Sequence, residues 1–507
     1  GRGEIKALWV MGTNPAVSLP NADSVRAAMK KLDLLVISEN VRSNDSISSG
    51  AHVLLPAHAW GEKSGTVTNS ERRISRQRAF LPAPGEAKSD WWIMSEVARR
   101  LGYGAAFAYN SAADIFREHA ELSAFENGGS RDFDIGAMAS IADDEFDAMP
   151  PRMWPLPKGA AEPQPRFFAE GKYYTADRKG HFIAPDVPML RGATSEARPL
   201  RLNTGRIRDQ WHTMTRTGLS PRLGQHLPEP YVEIHPSDAV QADIVDGGYA
   251  RLATDLGQCI LKVVVSERQQ RGMLFAPIHW SEENSAYGRV GALVAPFTDP
   301  FSGQPENKAT PVAIEAVTFA QRGFVLSRKP MPFPKGVLWS RVAVTGGYGY
   351  LIASNLEMAN WKTQLSPQGE AGHVAEYEDP ALGVYRGAHF DGERLEAVLF
   401  VGPVDTSLNW DAVRGAFAAE TISDEQRRLL LSGKSADGVA NDGPVVCACF
   451  GVGRNTICGA IAGGSRTTGE IGAKLKAGTN CGSCIPELKR LIAQTDVAQP
   501  LEASAAS

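Results

Sequence analysis

IKALWVMGTNPAVSLPNADSVRAAMKKLDLLVISEN, residues 5–40, decides how the first part of the chain folds. IKALWVMG is apolar over the length of a buried strand and stops at the turn GTNP, Gly12 to Pro15. Beyond it Val25, Ala28, Met29 and Leu32 recur at the i, i+3, i+4, i+7 spacing of one helix face, with Asn21 placed to cap the start. LDLLVIS, 32–38, is again short and apolar, and ends at Glu39. Strand, helix, strand predicts a parallel βαβ unit. Ligands of such units lie beyond the carboxyl ends of the strands, where Gly12–Pro15 and Glu39–Asn40 both fall.

Outward from this unit, DWWIMSEVARRL at 90–101 and the stretch 112–125 read as amphipathic helices, with Gly102 stopping the first. Residues 143–199 are rich in Pro, Gly and acids and mark a boundary between domains. From 200 to 322, RLNTGR, YVEIHPSDA, DGGYARLAT and GQCILKVVV are short strands broken by turns, which predicts a compact β-barrel. Residues 323–440 are mixed, with helices expected at 408–418 and 423–433, and SGKSADGVANDG, 432–443, has linker composition. No internal repeat is found.

At 507 residues the chain is too long for one core, and 43% hydrophobic with 22% charged residues excludes wholesale disorder. A net charge of −4 gives no global field for nucleic acid. The longest apolar runs fall short of the roughly 20 residues of a membrane span. The start, GRGEIKALWV, has no Met and no secretory signal pattern, and reads as the middle of something longer. Six cysteines are too few for a disulfide scaffold, and five of them lie between 447 and 484. A metal site in a reducing, cytoplasmic setting is the expectation.

Cys447-Ala-Cys449 is followed, after 31 residues, by Cys481-Gly-Ser-Cys484. Two close pairs of thiols make one four-thiolate site. The single spacer of the first pair departs from the usual zinc knuckle, and a 2Fe-2S cluster, each iron taking two thiolates, accommodates it better than zinc. Cys458, among apolar positions of the intervening helix, reads as core. The whole segment VCACFGVGRNTICGAIAGGSRTTGEIGAKLKAGTNCGSCIPELKR, 446–490, resembles the bacterioferritin-associated-ferredoxin-like 2Fe-2S domain. Such modules pass single electrons. Six Lys/Arg against three Asp/Glu in 441–490 suit an acidic donor or neighbour, or simply a solvated face.

A second signal is arginine density. Arg201, Arg206, Arg208, Arg216 and Arg222 face a single acid, Asp209, across 201–222, and SERRISRQR at 70–78 carries four more. Arginine forks and hydroxyls after a strand suit phosphate or a small oxyanion. Either run alone is more often a solvated surface. GTNP, Glu39 and GEKSGTVTNSERR at 61–73 add the turn, acid and amide groups that a large nucleotide-bearing ligand needs.

The strings GTNPAVSLP, LLPAHAWGEKSGTVTNSERRISRQRAF, DWWIMSEVARRLG, LNTGRIRDQWHTMTRTG, APIHW and DPFSGQPENK together resemble the catalytic subunits of assimilatory nitrate reductases, which are molybdopterin oxidoreductases related to dimethyl-sulfoxide reductase. The resemblance spans about 1–322. It implies a mixed α/β and β fold: a doubly wound α/β part over 1–180, a double-psi β-barrel that binds molybdopterin dinucleotide over 181–322, a spacer or small α/β domain over 323–440, and a small helical 2Fe-2S domain over 441–495. The implied cofactors are molybdenum bis(molybdopterin guanine dinucleotide) and 2Fe-2S.

Residue by residue, the resemblance places Asn14 and Glu39 at one guanosine end, and Glu62, Gly65, Thr66 and Asn69 along the cofactor. It gives Asn203, Thr204, Gly205 and Arg206 to a pyrophosphate, and Trp211, His212, Thr213 and Arg216 to the pterin and the oxyanion path, with His212 and Arg216 the catalytic candidates. Glu306 and Lys308 close the other side. His279 is read equally as a donor to the pterin and as a packed side chain. Cys447, Cys449, Cys481 and Cys484 are the metal ligands.

The family's N-terminal half carries a 4Fe-4S motif and the cysteine that ligates molybdenum, and neither is found here. The chain therefore reads as the C-terminal part of such an enzyme, with the N-terminal half, nitrate, and a flavoprotein reductase, ferredoxin or flavodoxin as its partners. Another molybdopterin oxidoreductase, such as a formate dehydrogenase, is the alternative enzyme. A binding protein ending in a structural zinc ribbon is the non-enzymatic one.

Overall fold

The computed structural model describes residues 2–163, 166–186, 189–365, 372–405, 410–432 and 442–498. Strands β1 (Ala7–Met11), β2 (Leu34–Glu39) and β3 (Val53–Pro56) form a parallel sheet in the order β1-β2-β3. The helix Ala22–Met29 crosses from β1 to β2, and Val10, Ala16, Met29, Leu35 and Ile37 pack the core beneath it. Asn21 does not cap that helix with its side chain. It sits at φ 49°, a left-handed conformation that Asn tolerates, and its N–H donates to Val294 O at 2.8 Å. Strands β4 (Gly65–Thr68), β5 (Arg73–Gln77) and β6 (Arg152–Met153) make a small antiparallel sheet. The helix Asp90–Ala98 runs into an irregular turn where Gly102 takes φ 93°, and a helix follows at Ala112–Ala124.

Strands β7 (Leu200–Gly205), β8 (Tyr231–Ile234), β9 (Tyr249–Ala253), β10 (Gln258–Val265), β11 (Met273–Pro277) and β12 (Thr310–Val317) close into a barrel in the order β10-β8-β11-β7-β12-β9. Two of its pairings, β10 with β8 and β11 with β7, are parallel. Alternate strand residues fill the interior: Leu202, Val232, Ile234, Leu252, Leu274 and Val312 are all fully buried. At apolar transfer energies of about 25 cal/mol per Å², this is the main stabilising term.

Strands β13 (Gln321–Ser327), β14 (Leu338–Val344), β15 (Gly347–Ser354), β16 (His373–Asp379), β17 (Val384–Asp391) and β18 (Arg394–Pro403) form an antiparallel sheet ordered β14-β15-β13-β18-β17-β16. The division at 322/323 thus cuts through β13, and the barrel ends at Val317. The alternation of β13 serves two cores. Phe324 and Leu326 face Val413 and Phe417 of the helix Trp410–Ala418, whereas Val325 faces Trp361 and Leu365 of the helix Met358–Leu365. The helix expected at 423–433 is Asp424–Leu430; residues 408–409 and 433–441, which hold most of the expected linker, lie outside the described residues.

The last unit pairs the short strands Val445–Cys447 and Val452–Gly453, followed by the helices Arg454–Ala462, Thr468–Leu475 and Ile485–Ala498. Cys458 packs against its core as expected. No helix among the described residues is long and apolar enough to cross a membrane.

Candidate functional site

Two sites emerge, joined by one loop of the barrel. The first is a cavity of about 760 Å³ where the parallel sheet meets the barrel. Its walls come from the turns after β1 and β2 (Gly12, Thr13, Asn14; Glu39, Asn40), from Trp60 and Lys63, and from barrel residues Thr204, Trp211–Thr213, Thr215, Arg216 and Asn307. Ion pairs hold the junction shut: Arg289 with Asp23, and Arg26 with Glu282. The approach is close enough that a Cβ on Gly291 would run into the Val17 carbonyl.

Asn14 is buried and ties three segments together. Its Oδ1 accepts from the Ser46 N–H (3.1 Å) and hydroxyl (2.6 Å), and its Nδ2 donates to Thr213 Oγ1 (3.2 Å). Glu39, the last residue of β2, is 9% exposed. Burial lifts its carboxyl above the usual carboxylate range, although the Asn40 N–H at 2.8 Å and the Arg216 charge pull the other way. With the Asn40 amide oriented so that its nitrogen donates to Glu39 Oε1 (3.1 Å), its oxygen accepts from Arg216. Acid, amide and guanidinium form one chain at the cavity wall.

Across the cavity Lys308 donates to the Thr204 carbonyl, and Thr204 Oγ1 donates to Asn307 O at 2.8 Å. Burial and the neighbouring Arg206 hold the Lys308 ammonium below its ordinary pKa. The Arg206 guanidinium lies 5.0 Å over the Trp211 ring. His212 and Met214 adopt positive φ (42° and 59°), a conformation non-glycine residues keep only when their surroundings impose it. His279 supplies part of that constraint. Its Nε2 accepts the Ile207 N–H at 2.9 Å and its Nδ1 meets the His212 carbonyl at 2.6 Å, so the buried ring is neutral and shapes the loop. With both nitrogens engaged it has none left to donate to a pterin.

Of the residues singled out in the sequence, the structure gathers Asn14, Glu39, Thr204, Trp211, His212, Thr213 and Arg216 on the cavity wall, with Arg206 and Lys308 beside them. Others are spent locally. Glu62 accepts the Ala59 N–H at 2.8 Å, Asn69 shapes the β4–β5 turn, and Gly65 and Thr66 pair with Gln77 and Arg76. Glu306 accepts the N–H groups of Arg191 and Gly192, while Asn203 and Gly205 are ladder residues against β11. Trp60, Lys63, Thr215 and Asn307 also line the cavity although the sequence does not single them out; Lys63 lies inside GEKSGTVTN, and Asn307 between Glu306 and Lys308.

This donor set suits a large polar anion. Glu39 offers a carboxylate to the N–H edge of a base, Asn14, Thr204 and Thr213 offer amide and hydroxyl groups, and Arg216 with Arg206 and Lys308 offers charge to phosphates. A molybdopterin guanine dinucleotide has those three kinds of group.

The second site is the cysteine module. Cys449 Sγ lies 3.2 Å from Cys481 Sγ, and the buried Cys447 and Cys484 thiols are close enough that burial and Cys447 together push the Cys484 thiol up. The thiols therefore gather two by two across the knuckles. One tetrahedral zinc needs all four sulfurs about one centre, whereas two irons take them pairwise. Backbone amides of Gly478 and Ser483 donate to Cys484 and Cys481, and Gly478 and Gly482 take the positive φ values (85° and 73°) of the turns around the second pair. The set fits a 2Fe-2S cluster, whose charge such amides stabilise. Cys259 is excluded: its thiol is buried in β10, bonds Arg289 O, and is pushed up to about 12 by burial.

Comparison with known proteins agrees with both sites. Residues 1–100 match the molybdopterin oxidoreductase family, 200–311 the molydopterin dinucleotide binding domain, and 445–494 the BFD-like 2Fe-2S binding domain. The chain is 44% identical over 495 residues to a nitrate reductase of Klebsiella oxytoca, covering 97% of this chain and 56% of the relative. A nitrate reductase of Shewanella frigidimarina is 36% identical over 64% of this chain and 37% of its own length. An F420-dependent formate dehydrogenase 1 subunit alpha of Methanococcus maripaludis is 30% identical over 62% and 44%. The chain thus spans about half the length of these relatives or less. Segment by segment, the chain thus matches the molybdopterin oxidoreductase family at its start, the dinucleotide-binding domain in its barrel and the BFD-like 2Fe-2S binding domain in its cysteine module.

Proposed function

We propose that the protein carrying this chain reduces nitrate to nitrite in nitrate assimilation, in the cytoplasm. This chain supplies one face of a molybdenum bis(molybdopterin guanine dinucleotide) site and a 2Fe-2S electron relay. The observation that carries the reading is that the 44% identity to a nitrate reductase runs through both the cavity and the cysteine module. Molybdenum, when bound, supplies the redox centre that takes an oxygen atom from nitrate. The chain's own residues bind and orient: Glu39 and Asn14 hold the guanosine end of a dinucleotide, and Thr204, Arg206 and Lys308 hold phosphate. Arg216 draws the oxyanion in, and His212 is held toward the same space by His279. Nitrate to nitrite and water takes two electrons and two protons, so a one-electron cluster works twice per turnover. A flavoprotein reductase, ferredoxin or flavodoxin supplies the electrons. The rest of the protein supplies the cysteine on molybdenum and a 4Fe-4S cluster.

Formate oxidation is the second reading, favoured by the 30% identity to a formate dehydrogenase subunit. The discriminating experiment uses the full-length protein purified with its cofactors. Reduced methyl viologen with nitrate is expected to give steady nitrite, while formate gives no dye reduction. Dye reduction by formate without nitrite formation would replace the first reading with the second.

A further inference from the structure

The loop Arg206–His226, between β7 and β8, belongs to both sites. One side of it lines the cavity with Trp211, His212, Thr213 and Arg216. From the other side Arg208 Nη1 donates to Glu487 Oε2 at 3.0 Å and its Nη2 to the Val446 carbonyl at 2.9 Å, while Arg222 Nη1 donates to the Cys449 carbonyl at 3.3 Å. Val446 immediately precedes Cys447, so the two arginines grip the first cysteine knuckle at both ends. Glu487 opens the helix that follows Cys484, so the same arginine grips the second.

The grip is closed into a ring. His226 Nε2 meets Glu487 Oε2 at 3.1 Å, and Asp209 Oδ2 lies 3.0 Å from Arg208 Nε and 2.9 Å from His226 Nδ1. The side chains of Arg208, Asp209, His226 and Glu487 are only 18%, 7%, 16% and 16% exposed. Exposed ion pairs contribute little, but a buried one strands its partner when broken. From this ring the loop reaches the cavity within a few residues, through Trp211 and His212, whose rings meet edge to face with centroids 4.6 Å apart.

We propose that Arg208 and Glu487 are positioning residues that latch the cysteine module onto the barrel loop and so fix where the module sits relative to the cavity. The proposal rests on reading the module as a relay for electrons drawn from the external reductant.

The test compares Arg208→Ala and Glu487→Gln in the full-length protein loaded with its cofactors. Nitrite formation is measured with reduced methyl viologen and with reduced ferredoxin, and amide hydrogen exchange is followed at 445–450 and 485–491. Both variants are expected to keep the iron and its visible absorption. Their dye-driven rates should stay within about twofold, while ferredoxin-driven rates fall about tenfold or more because a buried pair has lost its partner. Exchange at 445–450 should speed up. Glu487→Gln preserves side-chain shape, so it decides the matter if Arg208→Ala does not fold. Unchanged ferredoxin-driven rates with unchanged exchange overturn the latch, and so does an equal fall of both rates with iron lost, which marks a merely structural contact. Absence of dye-driven nitrite in the unaltered protein would instead remove the nitrate reading, and the exchange comparison would still decide the latch.

Discussion

The cavity and the cysteine module are built on opposite plans. The cavity collects Asn14, Glu39, Lys63, Thr204, Arg216 and Asn307 from separate stretches of chain, and its shape exists only because the parallel sheet docks on the barrel through Arg289–Asp23, Arg26–Glu282 and the Asn21 amide. The module's thiols and turns all lie within Val445–Glu487, with Leu488 and Leu491 completing its core. Turns at Gly478 and Gly482 and the capping box of Thr467 with Glu470 shape it from within, while the barrel loop touches it only from outside through Arg208 and Arg222. A site made by docking is sensitive to anything that loosens either partner; a site made by turns fails only when its own ligands or turns change.

That contrast can be broken by perturbing one plan and reading the other. Leu202→Ala, in the barrel core and fully buried, is expected to cost about 2–5 kcal/mol and to lower the melting temperature of the barrel. The iron and visible absorption of the module should persist, and loss of iron in the folded variant would show that the module depends on the barrel. Asn14→Ala removes three hydrogen bonds that link β1, Ser46 and Thr213, and leaves the Ser46 amide and hydroxyl buried without that partner. The expected cost is about 2–3 kcal/mol, together with a fall in retained molybdenum. Full molybdenum occupancy at unchanged melting temperature would contradict the docking account.

Some of this was legible in the sequence and some was not, for physical reasons. The barrel announced itself because β-branched strands alternate and break at turns, and the cysteines because ligand spacing is a local property. The rule that ligands meet the ends of parallel strands points to Gly12–Pro15 and Glu39–Asn40, and the family resemblance singles out Asn14 and Glu39 within them; the structure puts both on the cavity wall. Side-chain choice within a loop did not follow. Glu62 and Asn69 satisfy their own backbones, while Lys63 beside them faces the cavity, and nothing in the string distinguishes the two. The expected cap at Asn21 lost to a tertiary bond with Val294. Arg208 and His226 were invisible as a latch because their partner Glu487 lies more than two hundred residues further along the chain.

A pH series sharpens the comparison at the seam. Burial pulls His226 down, but its contacts with Asp209 and Glu487 outweigh it and hold the imidazole above its ordinary value. Its contribution is therefore fully present below the ordinary His range and is lost as pH rises through the raised value. Asp209 and Glu487 are held below the usual carboxylate range despite burial, by His226 first and then Arg208. Their contribution is present above that range and lost as pH falls through the lowered values. Docking of the module should be tightest between those limits, with amide exchange at 485–491 slowest there, and His226→Gln should flatten the alkaline limb. An alkaline limb unchanged in His226→Gln assigns the loss elsewhere. The smallest effect is expected from Cys458→Ala. This half-buried thiol packs against the module core and bonds no ligand sulfur, so about 1 kcal/mol of stability goes and the cluster spectrum stays.

Metal analysis of the full-length Cys484→Ser protein bears most directly on the claim that two separate sites hold two separate groups. The buried thiol at 484 is one of four, and a two-iron cluster needs all of them. The account predicts that this variant loses about two irons per chain, and the matching visible absorption, while keeping its molybdenum. Unchanged iron, stoichiometric zinc in the unaltered protein, or loss of molybdenum together with the iron would contradict it.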